Sequence, residues 1–141
     1  MPTYEAKREL LAPVHDVWAF VAEPFHLPDW WPGLSGVQPD RRGVAVGARW
    51  QVFGDGTPTL LRRARESDTL VVHAAESNRR FAFELVGQKL EVELELAGAG
   101  PDRTKASIFV STSMFAGLFH SPARQALDRL HALVQTGVED L

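Results

Sequence analysis

The 141-residue chain contains no cysteine and has no surplus of basic residues. The lack of cysteine excludes disulfide bonds, thiolate nucleophiles and cysteine-ligated zinc or iron–sulfur centres. Fifteen lysines and arginines stand against eighteen aspartates and glutamates, so the net charge is −3. Because a nucleic-acid-binding protein usually has a basic surplus that neutralises phosphates, we expect no nucleic-acid partner.

Long hydrophobic runs are also missing. The longest unbroken apolar run covers residues 17–22, whereas a membrane span requires about 20 apolar residues. The polar N-terminus lacks the basic-then-apolar order of a signal peptide. We therefore expect a cytoplasmic protein with no membrane span. No repeat or linker divides the sequence, which predicts a single domain over residues 1–141.

The hydrophobic periodicity predicts one strand, two short helices, a long run of strands and a final helix. Residues 3–11 read as a strand, and Pro13 suits the first turn of the helix that follows. The clearest alternation covers residues 90–96, where apolar residues alternate with glutamates. Such a strand is typical of an antiparallel sheet that is covered on one face only. Pro122 begins an amphipathic helix that is the only long element able to cover that face.

Three motifs and the C-terminal helix carry a resemblance to a known family. The motifs are Ala-Pro-Val-His-Asp-Val-Trp at 12–18, Asp-Trp-Trp-Pro-Gly-Leu at 29–34 and Gly-Ala-Arg-Trp at 47–50. The chain resembles the START-related helix-grip superfamily, and most closely its polyketide cyclase/dehydrase-like branch. The resemblance implies an α+β fold in which a curved antiparallel sheet of about seven strands wraps around the long C-terminal helix. Two short helices would follow the first strand, and residues 57–66 would form an extra strand or a loop.

The same resemblance implies an apolar cavity between the sheet and the C-terminal helix. Members of the superfamily bind sterols, lipids, plant hormones or polyketides, and some catalyse cyclisation or dehydration without a cofactor. A related branch resembles activators of heat-shock ATPases, whose short helix also ends in a Trp-Trp pair. We expect no metal here, because no histidine pair has metal-ligand spacing. We also expect no cofactor, since the glycines form neither a phosphate loop nor a dinucleotide fingerprint.

The candidate ligand-binding residues are mostly aromatic side chains. Aromatic residues fill cores more often than they contact ligands, so core packing is the alternative. Two adjacent rings on a short turn are expected to point in different directions, one inward and one near the cavity mouth. The apolar segment 114–119 would be a gate or an interface. The candidates are Trp30, Trp31, Trp50, Phe81, Phe83, Phe109, Phe115 and Phe119, together with Leu127 and His131 of the C-terminal helix.

Few polar residues are candidates for chemistry. His131 borders the predicted buried face of the last helix, where it could act as a base or remain a helix-edge histidine. Arg49 and Arg62 are candidates for a clamp on a ligand carboxylate inside the pocket. For His73, an inward and an outward orientation are both open. Glu91, Glu93 and Glu95 are expected to form a solvated face.

These features favour a protein that binds a small hydrophobic molecule, which is lipid-, polyketide- or aromatic-like. The first alternative is a cofactor-independent cyclase or dehydratase that uses a cavity histidine, and it requires polar groups that converge inside the pocket. The second alternative is a protein-interaction domain of the heat-shock-ATPase-activator type, which would dock through its apolar rim. A homodimer is left open.

Overall fold

The structure is a computed structural model that describes residues 3–54, 67–112 and 122–139, with side chains in the last range as far as residue 135. The described helices are α1 (Val14–Val21), α2 (Leu27–Trp30) and α3 (Pro122–Glu139), with a 3₁₀ turn at Pro24–His26. The described strands are β1 (Thr3–Leu10), β2 (Leu34–Gln38), β3 (Arg49–Gly54), β4 (Ser67–Glu76), β5 (Arg80–Leu85), β6 (Leu90–Gly98) and β7 (Thr104–Thr112).

The seven strands form one curved antiparallel sheet in the order β1-β7-β6-β5-β4-β3-β2. From β2 to β7, each strand pairs with the next one along the chain. β1 instead pairs with β7, so the first and last strands are neighbours. Helices α1 and α2 lie in the connection between β1 and β2, which are the two edges of the sheet. The predicted helix-grip fold is therefore confirmed.

The two faces of the sheet differ in chemistry. Leu90, Val92 and Leu94 of β6 are buried, and we call their side of the sheet the inner face. Glu91 and Glu93 lie on the opposite side, which we call the outer face. The predicted alternation along this strand is confirmed. Its physical cause is the two-residue period of side chains in a strand.

Helix α3 covers one end of the inner face. It packs against β1, β7 and α2, and its buried stripe includes Leu127 and Leu130. Asp128 of α3 accepts a hydrogen bond from Arg8 of β1, which ties the helix to the edge of the sheet. No helix among the described residues is both long and apolar enough to cross a membrane.

The carboxylate of Asp68 fastens the turn between β5 and β6 to the start of β4. Its Oδ1 atom accepts hydrogen bonds from the backbone N–H groups of Thr69, at 2.7 Å, and of Gly87, at 2.6 Å. Its Oδ2 atom accepts one from the N–H of Gln88, at 3.2 Å. The side chain is buried. One carboxylate therefore satisfies two backbone donors of the turn, at Gly87 and Gln88, and one donor of β4, at Thr69.

Candidate functional site

Five of the predicted aromatic residues form one continuous cluster on the inner face. The ring of Phe83 lies 6.3 Å from Trp30, 5.7 Å from Trp31 and 5.3 Å from Phe81, measured between centroids. Trp50 stacks on Phe81 at 6.1 Å. Trp30 and Trp31 meet Phe83 edge-on, which is a favourable arrangement of aromatic quadrupoles. Helix α2 and strands β3 and β5 thus contribute to a single aromatic surface.

Trp30 and Trp31 both point into this cluster. Their side chains are buried, and their rings are perpendicular with centroids 6.2 Å apart. The expectation that one ring would lie near a cavity mouth is therefore wrong. The reason is the end of α2: Trp31 is the C-cap and has extended backbone angles, φ −94° and ψ 124°. The chain changes direction between the two residues, so both rings reach Phe83.

The two indole N–H groups at opposite ends of the cluster differ in their hydrogen bonding. Trp50 Nε1 donates to the carbonyl oxygen of Gly43 at 2.8 Å. Trp30 Nε1 is buried and has no acceptor among the residues that the structure describes. A buried donor without a partner costs about 1–3 kcal/mol. Trp30 can donate one hydrogen bond to an oxygen or nitrogen atom brought by another molecule.

The two candidates on α3 differ in burial. Leu127 is buried in the core, where it packs as the helical periodicity predicts. His131 is half-buried, and in the described parts of the chain no carboxylate lies within ion-pair distance of it. A general base is usually oriented by a second polar group. A catalytic role for His131 therefore stays a prediction.

Phe109 and Arg49 lie on the outer face, away from the aromatic cluster. Phe109 is half-buried between Ile108 and Val110, which are both buried on the inner face. Arg49 is exposed beside the buried Trp50. Their predicted places inside the pocket are wrong because neighbouring residues of a strand point to opposite faces. Phe115, Phe119 and Arg62, and the segment 114–119, lie outside the described residues.

The surroundings of Arg49 also disfavour an anion site. The carboxylate of Asp40 accepts hydrogen bonds from the backbone N–H of Arg49 and from that of Arg42, both at 2.9 Å. Asp40 and Arg49 both line a surface depression of about 380 Å³. The Arg49 hydrogen bond is the main cause that lowers the pKa of Asp40 below its ordinary value of 3.8, with help from Arg42 and Gly43 and against desolvation. A fixed negative charge beside Arg49 repels a second anion.

The lowered pKa of Asp40 makes stability depend on pH. Its stabilising contribution is fully present above pH 3.8, the ordinary value, and is lost as the pH falls through the lower pKa of the folded state. Asp40→Asn is therefore expected to reduce the free energy of unfolding at neutral pH. Urea unfolding of both proteins from neutral pH to strongly acidic pH should show the difference shrinking below pH 3.8.

Asp102→Asn is the matched control, because Asp102 is exposed and its carboxylate has no hydrogen-bond partner among the described residues. The same pH-dependent difference in that control would show that net charge, and not the hydrogen bonds of Asp40, is responsible.

The sequence matches the model of the family described as polyketide cyclase / dehydrase and lipid transport over residues 1–140. The chain belongs to this family. No protein of curated function matches the sequence. The description of the family covers both catalysis and lipid transport, so membership alone does not assign an activity to this family member.

Solved structures share the fold at low identity. A START superfamily protein from Mycobacterium smegmatis is 15% identical with a TM-score of 0.68, over 98% of this chain and 97% of that one. The di-domain ARO/CYC BexL is 16% identical with a TM-score of 0.74, over 96% of this chain and 47% of that one. A point mutant of norcoclaurine synthase from Thalictrum, in complex with a transition-state analogue, is 15% identical with a TM-score of 0.67, over 96% and 95%.

Proposed function

We propose that this family member binds one small, largely apolar molecule against the aromatic cluster, and that the molecule accepts a hydrogen bond from Trp30 Nε1. The unsatisfied indole N–H is the observation that carries the proposal. In an apolar cluster it costs free energy that a ligand oxygen would recover. Ligand sites commonly combine apolar and aromatic walls with a few well-placed polar groups.

Aromatic rings also define the shape of the proposed ligand. Trp30, Phe81 and Phe83 bring flat, polarisable rings from two elements of the fold. A planar molecule would contact more of this surface than a flexible chain, and would lose less conformational freedom when it binds. We therefore favour a ligand with fused or conjugated rings and an oxygen acceptor at one edge.

Entry to this site requires movement. The five rings are at most 2% exposed, so a ligand reaches them only when the groups that cover them separate. Such a step slows association and changes the surroundings of the indoles. Ligand binding should therefore change the tryptophan emission.

The experiment compares two probes of almost the same shape, 9-fluorenone and fluorene, of which only fluorenone has a carbonyl acceptor. Tryptophan fluorescence titration is expected to show roughly two- to tenfold tighter binding of fluorenone, the value of one net hydrogen bond. Trp30→Phe keeps an aromatic ring and removes the donor, so it should bring the two affinities to within about twofold of each other. The indole N–H resonance of Trp30 should move on addition of fluorenone to the wild-type protein.

Trp18→Phe is the matched control, because Trp18 is a partly buried indole of α1 that packs against the core and is not one of the five rings of the cluster. It should retain the preference for fluorenone. Failure of both probes to bind the wild-type protein, or a preference that survives in Trp30→Phe, would contradict the proposal.

No observation in the described part of the chain favours the cyclase or dehydratase alternative over binding alone. That chemistry would require a second polar group near His131. The interaction-domain alternative depends on the apolar rim at 114–119, which lies outside the described residues. Binding is therefore the function for which the site gives the strongest support.

A further inference from the structure

We propose that the outer face of the sheet binds a divalent transition-metal ion of the zinc type between His73 of β4, Glu84 of β5 and Glu91 of β6. One ligand atom from each side chain lies within 4.8 Å of the other two. His73 Nε2 and Glu84 Oε1 are 2.9 Å apart. The site lies on the face opposite the aromatic cluster, so it is independent of the proposed ligand site.

Sheet register brings these residues together from three strands. Glu84 and Glu91 are directly opposite each other in the β5–β6 pair. In the β4–β5 pair, the register shifts between Val72 and Ala74, so a β-bulge leaves His73 without a pairing partner. A bulge redirects side chains locally and increases the twist of the strand. Here the bulged residue is exposed on the outer face, where its imidazole reaches Glu84.

Neither carboxylate of this cluster is paired with a lysine or arginine among the described ion pairs. Two carboxylates directly opposite on neighbouring strands repel each other. Glu84 contacts only the imidazole of His73 among the described ion pairs, and Glu91 has no ion-pair partner among the described residues. Farther along the same face, Arg80 donates a hydrogen bond to Glu93 and lies directly opposite Glu95. A divalent cation bound between His73, Glu84 and Glu91 would neutralise both carboxylates.

The donor set selects the class of metal. One imidazole nitrogen and two carboxylate oxygens suit zinc, cobalt, nickel and related ions, whereas magnesium and calcium prefer oxygen ligands alone. In a zinc site, ligand atoms about 2.1 Å from the ion lie roughly 3–3.5 Å apart. Side-chain rotations of the exposed Glu91 and the half-buried Glu84 can bring their oxygens to that spacing, while the strands hold the backbone in place. Three protein ligands leave at least one position for water.

The test is calorimetric titration of the tag-free protein with zinc chloride, in a buffer that does not coordinate metals. We expect one bound ion per chain. His73→Ala and Glu91→Gln should each weaken binding at least roughly tenfold, which is the effect that even the outer partners of metal ligands produce. Affinity should fall as the pH is lowered, because zinc competes with protons for the imidazole.

Two matched controls isolate the cluster. Glu95→Gln makes the same change in net charge on the same strand and face, and His15→Ala removes another exposed imidazole. Both should keep the affinity for zinc within about twofold of the wild-type value. Urea unfolding without metal should show that the four variants fold, since all four positions are exposed.

Cobalt chloride gives a second readout. Bound Co²⁺ should produce visible absorption bands and broaden the amide resonances around the three ligands in the wild-type protein, but not in His73→Ala. Three results would overturn the proposal: no zinc binding, equal zinc affinity in His73→Ala and the wild-type protein, or equal competition by magnesium chloride. The last result would indicate diffuse attraction to the carboxylates.

Discussion

Replacement of Phe83 by alanine is expected to lower the free energy of unfolding by about 3–5 kcal/mol. Phe83 is the centre of the aromatic cluster, because Trp30, Trp31 and Phe81 all contact its ring. Alanine would lose the transfer free energy of a buried benzyl group. It would also leave a cavity that three rigid rings, anchored on two elements, refill poorly. Urea unfolding followed by far-UV circular dichroism measures the change.

Phe109→Ala is the matched control for this prediction. It removes the same group from another strand of the same sheet, but from the half-buried outer face. We expect a loss of about 1 kcal/mol or less. Equal losses at the two positions would contradict the assignment of Phe83 to the core and Phe109 to the outer face.

Replacement of Asp68 by alanine has the second large effect that we expect. It should lower the free energy of unfolding by about 3 kcal/mol. The carboxylate accepts hydrogen bonds from the N–H groups of Thr69, Gly87 and Gln88. Hydrogen bonds to charged groups contribute about 1.5–3 kcal/mol each, and part of that sum is recovered when water reaches the turn. Urea unfolding gives the total, and hydrogen exchange at the amide of Gly87 shows whether the turn opens locally.

Asp68→Asn separates the contribution of the negative charge to the free energy of unfolding from that of the size of the side chain. The amide keeps one oxygen acceptor but turns an N–H₂ group toward backbone donors, so we expect an intermediate loss. Asp102→Ala, at an exposed turn, should change the free energy of unfolding by less than about 0.5 kcal/mol. A loss at Asp68→Ala as small as at Asp102→Ala would show that the three hydrogen bonds contribute little to stability.

Local patterns were sufficient to predict individual helices and strands and their buried sides, because these depend on neighbours along the chain. The alternation of apolar and acidic residues at 90–96 predicts a strand with one covered face, and the apolar stripe through Leu127 and Leu130 predicts the buried side of α3. Both are confirmed. The family resemblance supplied the order in which these elements assemble, which periodicity alone does not contain.

The site was predicted less well, because its geometry depends on contacts distant in sequence. Residue type alone favours Phe109 and Arg49 as pocket residues. Successive side chains of a strand point to opposite faces, however, so burial of the adjacent Ile108 and Trp50 places Phe109 and Arg49 on the outer face. No local signal indicates that a bulge exposes His73, or that β5 and β6 place Glu84 opposite Glu91. The lack of an acceptor for Trp30 Nε1 depends on which residues pack around it in the folded protein, and these are distant in the sequence.

The pairing of β1 with β7 has a consequence for biosynthesis. Thr3 and Ser111, which are partners in this pair, are 108 positions apart in the sequence. At about 5–20 residues per second, a ribosome needs roughly 5–20 s to add the strand that β1 requires. During this time β1 exposes unpaired backbone donors and acceptors, which are a template for association with other chains. Strand β1 is thus synthesised long before the strand that it requires, and it must be kept from pairing with a wrong partner until β7 has been added.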